Sequence, residues 1–228
     1  MNRDENRLPV LNSIIIILHY AIGYTFLYPR LISYLYGKGF IVRGTNIAEI
    51  AVYLFVLVTT VLLSWPFIRY GWKKYVERFP QNTKLIGMMQ LAMMGCVLMI
   101  GAAIYLLTDM ETSFNQQVID EARKINLPYV AFASVVFAPL VEEMVFRGSI
   151  YNLLNRYLKK GTAMFITSLL FGLLHVFDGA LTNNYVEVVF VFMYGALGYM
   201  LNYTYVKTDS IVCSVLLHML NNALSLLR

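Results

Sequence analysis

Seven long apolar segments constrain this chain more than any other feature of its sequence. They lie near residues 9–28, 46–68, 85–107, 127–155, 162–177, 184–204 and 210–227. A helix of about 20 apolar residues crosses a bilayer, and only helices and closed barrels satisfy their backbone hydrogen bonds in lipid. The sequence therefore predicts an all-α, polytopic membrane protein with about seven transmembrane helices, within a range of six to eight.

The composition argues against an ordinary soluble protein. Of the 228 residues, 59% are hydrophobic and only 14% are charged, whereas charged residues make up about a quarter of a typical soluble domain. The net charge of +5 is interpreted as basic loops facing anionic lipid, with no nucleic-acid partner. Cys96 and Cys213 lie inside apolar segments and are interpreted as small core residues.

The loops indicate how the chain is arranged in the membrane. With the N-terminus in the cytoplasm, eleven lysines and arginines lie inside and six outside, which favours an N-inside, C-outside orientation. The stretch PRLISYLYGKGF (29–40) is interpreted as interfacial or re-entrant. A hidden span within residues 29–45 would reverse the membrane orientation of every later segment. The mixed segment 114–124 predicts a short surface helix. Residues 1–126 are interpreted as N-terminal membrane helices of the same domain as a catalytic core at 127–228, which holds the last four helices.

Ionisable side chains inside the predicted spans concentrate in the C-terminal half, whereas His19 stands alone in the first span. A charged group in the middle of a bilayer costs at least ~2.5–3.5 kcal/mol on insertion scales, so such residues usually face a cavity and serve a function. The set consists of Glu142, Glu143, Arg147, His175 and His218.

The fourth span carries two adjacent glutamates and an arginine. Glu143 and Arg147 are four residues apart, so they share a helix face and can form an ion pair. Glu142 points about 100° away from Glu143 and is left without a local partner, which suits a general base. A purely structural Glu–Arg pair is the alternative, but it does not account for the second glutamate.

Two further pairs are spaced four residues apart on later spans. Phe171 and His175 lie on the fifth span, and His218 and Asn222 on the seventh. The alternative for each is a structural role, since polar side chains often hydrogen-bond between membrane helices. Asn221 is expected to face away from His218.

These three signatures, in this order on hydrophobic spans, resemble the CPBP family of CAAX proteases and bacteriocin-processing enzymes, also called Abi proteins. The motifs are Glu142-Glu143-x-x-x-Arg147, Phe171-x-x-x-His175 and His218-x-x-x-Asn222, and the resemblance covers roughly residues 127–227. It implies an all-helical membrane fold and an endopeptidase that cleaves a membrane-associated protein or peptide.

The resemblance also implies roles for the motif residues. Glu142 and His175 would activate water, and His218 and Asn222 would stabilise the oxyanion. Glu143, Arg147 and Phe171 would support them. No metal or other cofactor is expected. Zinc held by Glu142, His175 and His218 is the alternative, but the chain has no H-E-x-x-H motif and these ligands come from three helices.

The function retains two alternatives from other classes. One is a non-enzymatic bacteriocin-immunity or membrane scaffold protein of the same fold, and the other is a small transporter with a proton relay. The protein is expected to be an integral, multi-pass protein of a bacterial cell membrane, because nothing in the sequence indicates a eukaryotic setting.

Overall fold

The computed structural model describes residues 7–41, 46–182 and 185–227, and over these residues the chain forms helices and no strand. The helices are α1 (Val10–Gly37), α2 (Ile47–Glu77), α3 (Phe79–Thr108), α4 (Phe114–Ile125), α5 (Leu127–Leu154), α6 (Lys160–Leu181), α7 (Tyr185–Thr208) and α8 (Ile211–Leu226). The first six residues of α7, Tyr185–Phe190, form a 3₁₀ turn. The predicted all-α fold is confirmed.

Six of these helices are long and apolar enough to cross a membrane: α1, α2, α3, α5, α6 and α7. The remaining apolar helix, α8, has 16 residues. In the most apolar stretches of α2 and α3 only 17% of the residues are buried inside the bundle. Lipid must cover that exposed apolar surface, because a soluble protein does not tolerate so much of it. The predicted polytopic membrane protein is therefore confirmed.

The segment after the first apolar run is not the re-entrant stretch that was one of its two interpretations, whereas its interfacial position stays a prediction. Tyr28–Gly37 is helical and continues α1 directly. The preceding stretch, His19–Leu27, is π-helical, and this wider turn ends beside Pro29, which has no N–H to donate to the helix. The described residues between 29 and 41 therefore form no additional span.

The predicted surface helix is present as α4. Ser113 caps its first turn by accepting a hydrogen bond from the Gln116 backbone N–H, and Arg123 and Lys124 lie in its last turn, where they complement the helix dipole. The Arg123 Nη1 also donates to the Leu226 carbonyl at 2.8 Å. This bond joins α4 to the end of α8.

Glycines bring α6 and α7 into close contact. A Cβ atom at Gly172 would lie 2.8 Å from the Val191 carbonyl oxygen and 3.0 Å from the Gly195 nitrogen. Small residues permit this close approach between membrane helices. On the same interface Asn202 Nδ2 donates to Ser168 Oγ at 2.9 Å. The contact fixes the face of α6 that carries Phe171 and His175.

Candidate active site

The helical pitch of α5 changes on both sides of the two glutamates. Phe132–Phe137 and Met144–Tyr151 are π-helical, and the short segment Ala138–Glu143 between them is α-helical. Such π turns occur frequently at functional sites. Glu142 is 9% exposed and lines a cavity, whereas Glu143 is fully buried. The adjacent carboxylates therefore point in different directions, as the periodicity of the helix predicts.

Glu143 is the centre of a buried hydrogen-bond network. Its Oε1 accepts from Arg147 Nη1 at 2.9 Å and from His218 Nδ1 at 2.9 Å. Its Oε2 accepts from Ser214 Oγ at 2.6 Å. Arg147 also donates from Nη2 to the Gly198 carbonyl at 2.7 Å. The ion pair expected from the four-residue spacing is thus present, and it ties α5 to α7 and α8.

Glu142 lies between the two histidines. Its Oε2 is 4.0 Å from His175 Nε2 and 4.0 Å from His218 Nε2. This buried oxygen has no hydrogen-bond partner among the described residues. Tyr20 of α1 lies close to the Glu142 carboxylate. The structure therefore brings together a carboxylate and two imidazoles that come from three different helices.

The partners of the two Nδ1 atoms determine which tautomer each histidine adopts. His175 Nδ1 lies 2.9 Å from the Phe171 carbonyl oxygen, which can only accept a hydrogen bond. Neutral His175 therefore carries its proton on Nδ1 and presents a bare Nε2 to Glu142. His218 Nδ1 likewise donates to the Glu143 carboxylate. Consequently His218 Nε2 can donate a hydrogen bond only when the ring is a doubly protonated imidazolium.

Aromatic rings enclose the His175 imidazole. The Phe171 ring centroid lies 4.4 Å from it, and the Tyr194 ring is stacked on it at 4.7 Å. Phe171 is itself covered by the Arg147 guanidinium, whose Cζ lies 4.8 Å from the ring centroid. The Tyr194 hydroxyl is 2.6 Å from Ser113 Oγ. The ring stack therefore links the candidate site to the first turn of α4.

Asn222, the fourth member of the predicted set, also lines the cavity. Asn222 Nδ2 donates to the Ser134 carbonyl at 2.8 Å, which leaves its second amide hydrogen for another acceptor. The expectation that Asn221 faces elsewhere is wrong, because Asn221 and Asn222 both line the cavity. The cavity reaches the last turns of α8, and there it contacts more than one face of the helix.

A cavity of about 780 Å³ connects these groups with the surface near α4. Of the predicted set, Glu142, His175 and Asn222 line it, and His218 is buried behind Glu142. Most of the other lining side chains are apolar, as in sites for apolar ligands. The cavity therefore combines a largely apolar wall with a small group of polar side chains that includes Glu142 and His175.

Several residues of the site were not predicted from the sequence. Ser214 lies four residues before His218 on the same helix face, and this spacing is a signal that points to it. Gln90 is an isolated amide in an apolar stretch of α3 and lines the cavity. Tyr20 and Tyr194 carry no comparable signal, because nothing local shows which residues a distant helix will contact.

The described residues contain no group of three His, Cys, Asp or Glu side chains arranged to hold a metal ion. The Glu142 oxygen is 4.0 Å from each Nε2, whereas ligands at zinc bond lengths of about 2.0–2.1 Å in a tetrahedron lie roughly 3.3 Å apart. The three groups would have to move closer together to bind zinc.

Comparison with known proteins gave one match. Residues 124–224 match the family model described as type II CAAX prenyl endopeptidase Rce1-like. This region contains every motif residue from Glu142 to Asn222, and the resemblance to CPBP proteins is thereby confirmed. Neither the curated proteins nor the solved structures gave a match. Over residues 124–224, the chain is thus similar to the type II CAAX prenyl endopeptidases of the CPBP family.

Proposed function

We propose that the protein hydrolyses peptide bonds of a membrane-associated protein or peptide, with Glu142 and His175 activating the attacking water. One observation carries the proposal. The Glu142 Oε2 is buried without a partner at the cavity, 4.0 Å from a bare His175 Nε2. This separation is too long for a direct hydrogen bond, but one water at about 2.8 Å from each atom spans it.

The chemistry follows from what each atom can accept. The shared water donates one hydrogen to Glu142 and the other to His175, which leaves its oxygen lone pairs free to attack a peptide carbonyl carbon. As the C–O bond forms, Glu142 takes the proton from the water. The same carboxyl group then returns the proton to the departing amine as the C–N bond breaks. The proton that leaves the water is therefore the one that the amine receives, and the step needs no cofactor.

The oxyanion that forms during attack requires hydrogen-bond donors. Asn222 has one amide hydrogen beyond the one that it donates to Ser134. His218 adds a second donor when it is an imidazolium, because its Nε2 faces Glu142 and its Nδ1 is held by Glu143. Both groups are held in place by hydrogen bonds inside the helix bundle, and an oriented donor there is worth far more than in water.

Two assays test the proposal. The first measures cleavage of an internally quenched, farnesylated peptide ending in a C-a-a-X sequence, chosen as a probe because of the family match. The second compares membrane proteomes of cells that express wild-type protein or Glu142→Ala. We expect Glu142→Ala and His175→Ala to insert and purify normally but to cleave nothing.

Glu121→Ala is the matched control, because this glutamate is largely exposed and is not among the residues that line the cavity. It should retain cleavage. If Glu142→Ala cleaves at the wild-type rate, the assignment is wrong. If the wild-type protein cleaves no membrane protein in either assay, the non-enzymatic immunity or scaffold function replaces it.

A further inference from the structure

Gln90 stands apart from the other polar residues of α3. It lies in the apolar stretch MMQLAMM and is only 4% exposed. Both its Nε2 and its Oε1 are buried and have no hydrogen-bond partner among the described residues. A buried amide without partners costs free energy of folding, so native proteins seldom retain one without a use.

The position of Gln90 indicates what that use is. Its side chain lines the same cavity as Glu142, His175 and Asn222. Its helix, α3, packs against α7 and α8, the helices that carry Tyr194 and Asn222. Among the residues of α3 that line the cavity, Gln90 is thus the one with a polar side chain.

The part of α3 that lines the cavity is as long as a short extended peptide. Besides Gln90, the residues of α3 that line the cavity are Val97, Leu98, Gly101 and Ala102. From Gln90 to Ala102 the helix advances by about 18 Å, which corresponds to about five residues of extended chain. The four apolar or small positions follow the single amide along α3, in the direction of α4.

A side-chain amide presents the same two groups as a peptide bond, one N–H donor and one carbonyl acceptor. We infer that Gln90 binds the backbone of the substrate peptide beside the catalytic carboxylate. Its Nε2 donates to a peptide carbonyl, and its Oε1 accepts from a peptide N–H. The inference rests on the proposed endopeptidase function, and it assigns a substrate-binding role to a helix outside the family match at residues 124–224.

This role makes a prediction that a structural role for Gln90 does not. Gln90→Leu removes two unpartnered polar atoms and keeps most of the volume. Its melting temperature in detergent should therefore equal or exceed that of the wild type. With the farnesylated C-a-a-X peptide as substrate, KM should rise about tenfold, because two modest hydrogen bonds are lost, while kcat stays within about threefold.

The matched control is Ser64→Ala. Ser64 on α2 is also buried with an unpartnered hydroxyl, and it is not among the residues that line the cavity. Removal of its hydroxyl should leave both KM and kcat unchanged. An equal rise of KM in the two variants would show that the effect comes from general loss of polarity in the bundle and would overturn the inference.

Binding measured without cleavage separates this inference from the proposed function. The peptide carries a fluorophore, and its fluorescence anisotropy is recorded with two proteins. One carries Glu142→Gln alone, and the other carries Glu142→Gln together with Gln90→Leu. A series of peptides, each N-methylated at one backbone nitrogen, shows which peptide N–H donates to Gln90 Oε1. One methylation should weaken binding about tenfold with Gln90 present and should have no effect after Gln90→Leu.

The possible results distinguish the two claims. Gln90-dependent binding by a protein that never cleaves would contradict the endopeptidase function alone. Cleavage that requires Glu142 but shows wild-type KM and binding after Gln90→Leu would overturn the role of Gln90 alone. A fall in the melting temperature of Gln90→Leu with unchanged KM would assign Gln90 to helix packing.

Discussion

His218 donates a hydrogen bond from Nδ1 to Glu143 Oε1 at 2.9 Å and thereby directs its Nε2 at Glu142. The second glutamate of the motif therefore controls the orientation and tautomer of an imidazole on another helix. The same carboxylate neutralises Arg147 and accepts from Ser214. Glu143 is a positioning residue in this arrangement, because it is fully buried and acts on the Glu142 carboxylate through the His218 ring.

The first prediction concerns this buried network. Glu143→Gln removes the negative charge that faces Arg147, and breaking a buried ion pair on one side typically costs about 3–5 kcal/mol. We expect a lower yield and a markedly lower melting temperature in detergent, together with lower cleavage activity. Thermal unfolding followed by intrinsic fluorescence measures the change.

The control is the exposed pair on α4. Lys124 Nζ lies 2.7 Å from Glu121 Oε1, and both side chains are largely exposed. Exposed pairs contribute little to stability, so Glu121→Gln should leave the melting temperature unchanged. If Glu143→Gln keeps wild-type stability but loses all activity, Glu143 takes part in the chemistry directly.

The second prediction concerns Asn222. If its free amide hydrogen stabilises the oxyanion, Asn222→Ala should lower kcat by roughly 100- to 1,000-fold. Peptide binding should change little, because the charge exists only during the reaction. Steady-state turnover and anisotropy binding of the farnesylated peptide measure the two effects separately.

Asn221 is not a neutral control for this test, because it lines the same cavity. Asn12 provides a better one. Its Nδ2 donates to the Leu63 carbonyl at 2.8 Å, so it makes the same kind of interhelical bond as Asn222 without lining the cavity. Similar, mild effects of Asn12→Ala and Asn222→Ala would reduce Asn222 to a packing residue.

The third prediction concerns metal dependence. The proposed mechanism places water, not zinc, between Glu142 and His175, so turnover should survive removal of metal ions. We expect full activity after dialysis against EDTA and 1,10-phenanthroline, and elemental analysis should find far less than one zinc per chain. Loss of activity that added zinc restores would instead support ligation by Glu142, His175 and His218.

The fourth prediction concerns the contact between α6 and α7. Gly172→Ala introduces a methyl group 2.8 Å from the Val191 carbonyl oxygen, and backbone cannot move away as a side chain can. Overpacking of this kind typically costs about 1–3 kcal/mol. We expect a lower melting temperature and reduced turnover, since the displaced helix carries His175.

Gly95 on α3 is the matched control for that substitution. Apart from its own stretch of helix, a Cβ atom at Gly95 would have nothing within 4 Å, and alanine is favoured over glycine in a helix interior. Gly95→Ala should therefore keep or slightly raise the melting temperature. Equal losses in both variants would contradict the importance of the close α6–α7 contact.

The sequence by itself determined the membrane class, the helical fold and the pairs that lie within one helix. Apolar length and helical periodicity are local properties, so they indicated the spans, the Glu143–Arg147 pair and the separation of Glu142 from Glu143. They also placed Phe171 with His175 on one face. Each of these relationships depends only on spacing along a single helix.

Only the tertiary structure decided how the helices meet. The hydrogen bond from His218 to Glu143 joins two helices, and the 4.0 Å separations around Glu142 involve three. Asn221 lines the cavity near the end of α8. These relationships depend on how each helix is rotated and how closely it approaches its neighbours. The π turns of α5 change its helical phase, and the glycines allow α6 and α7 to approach closely. Periodicity along a single helix carries no information about how separate helices meet.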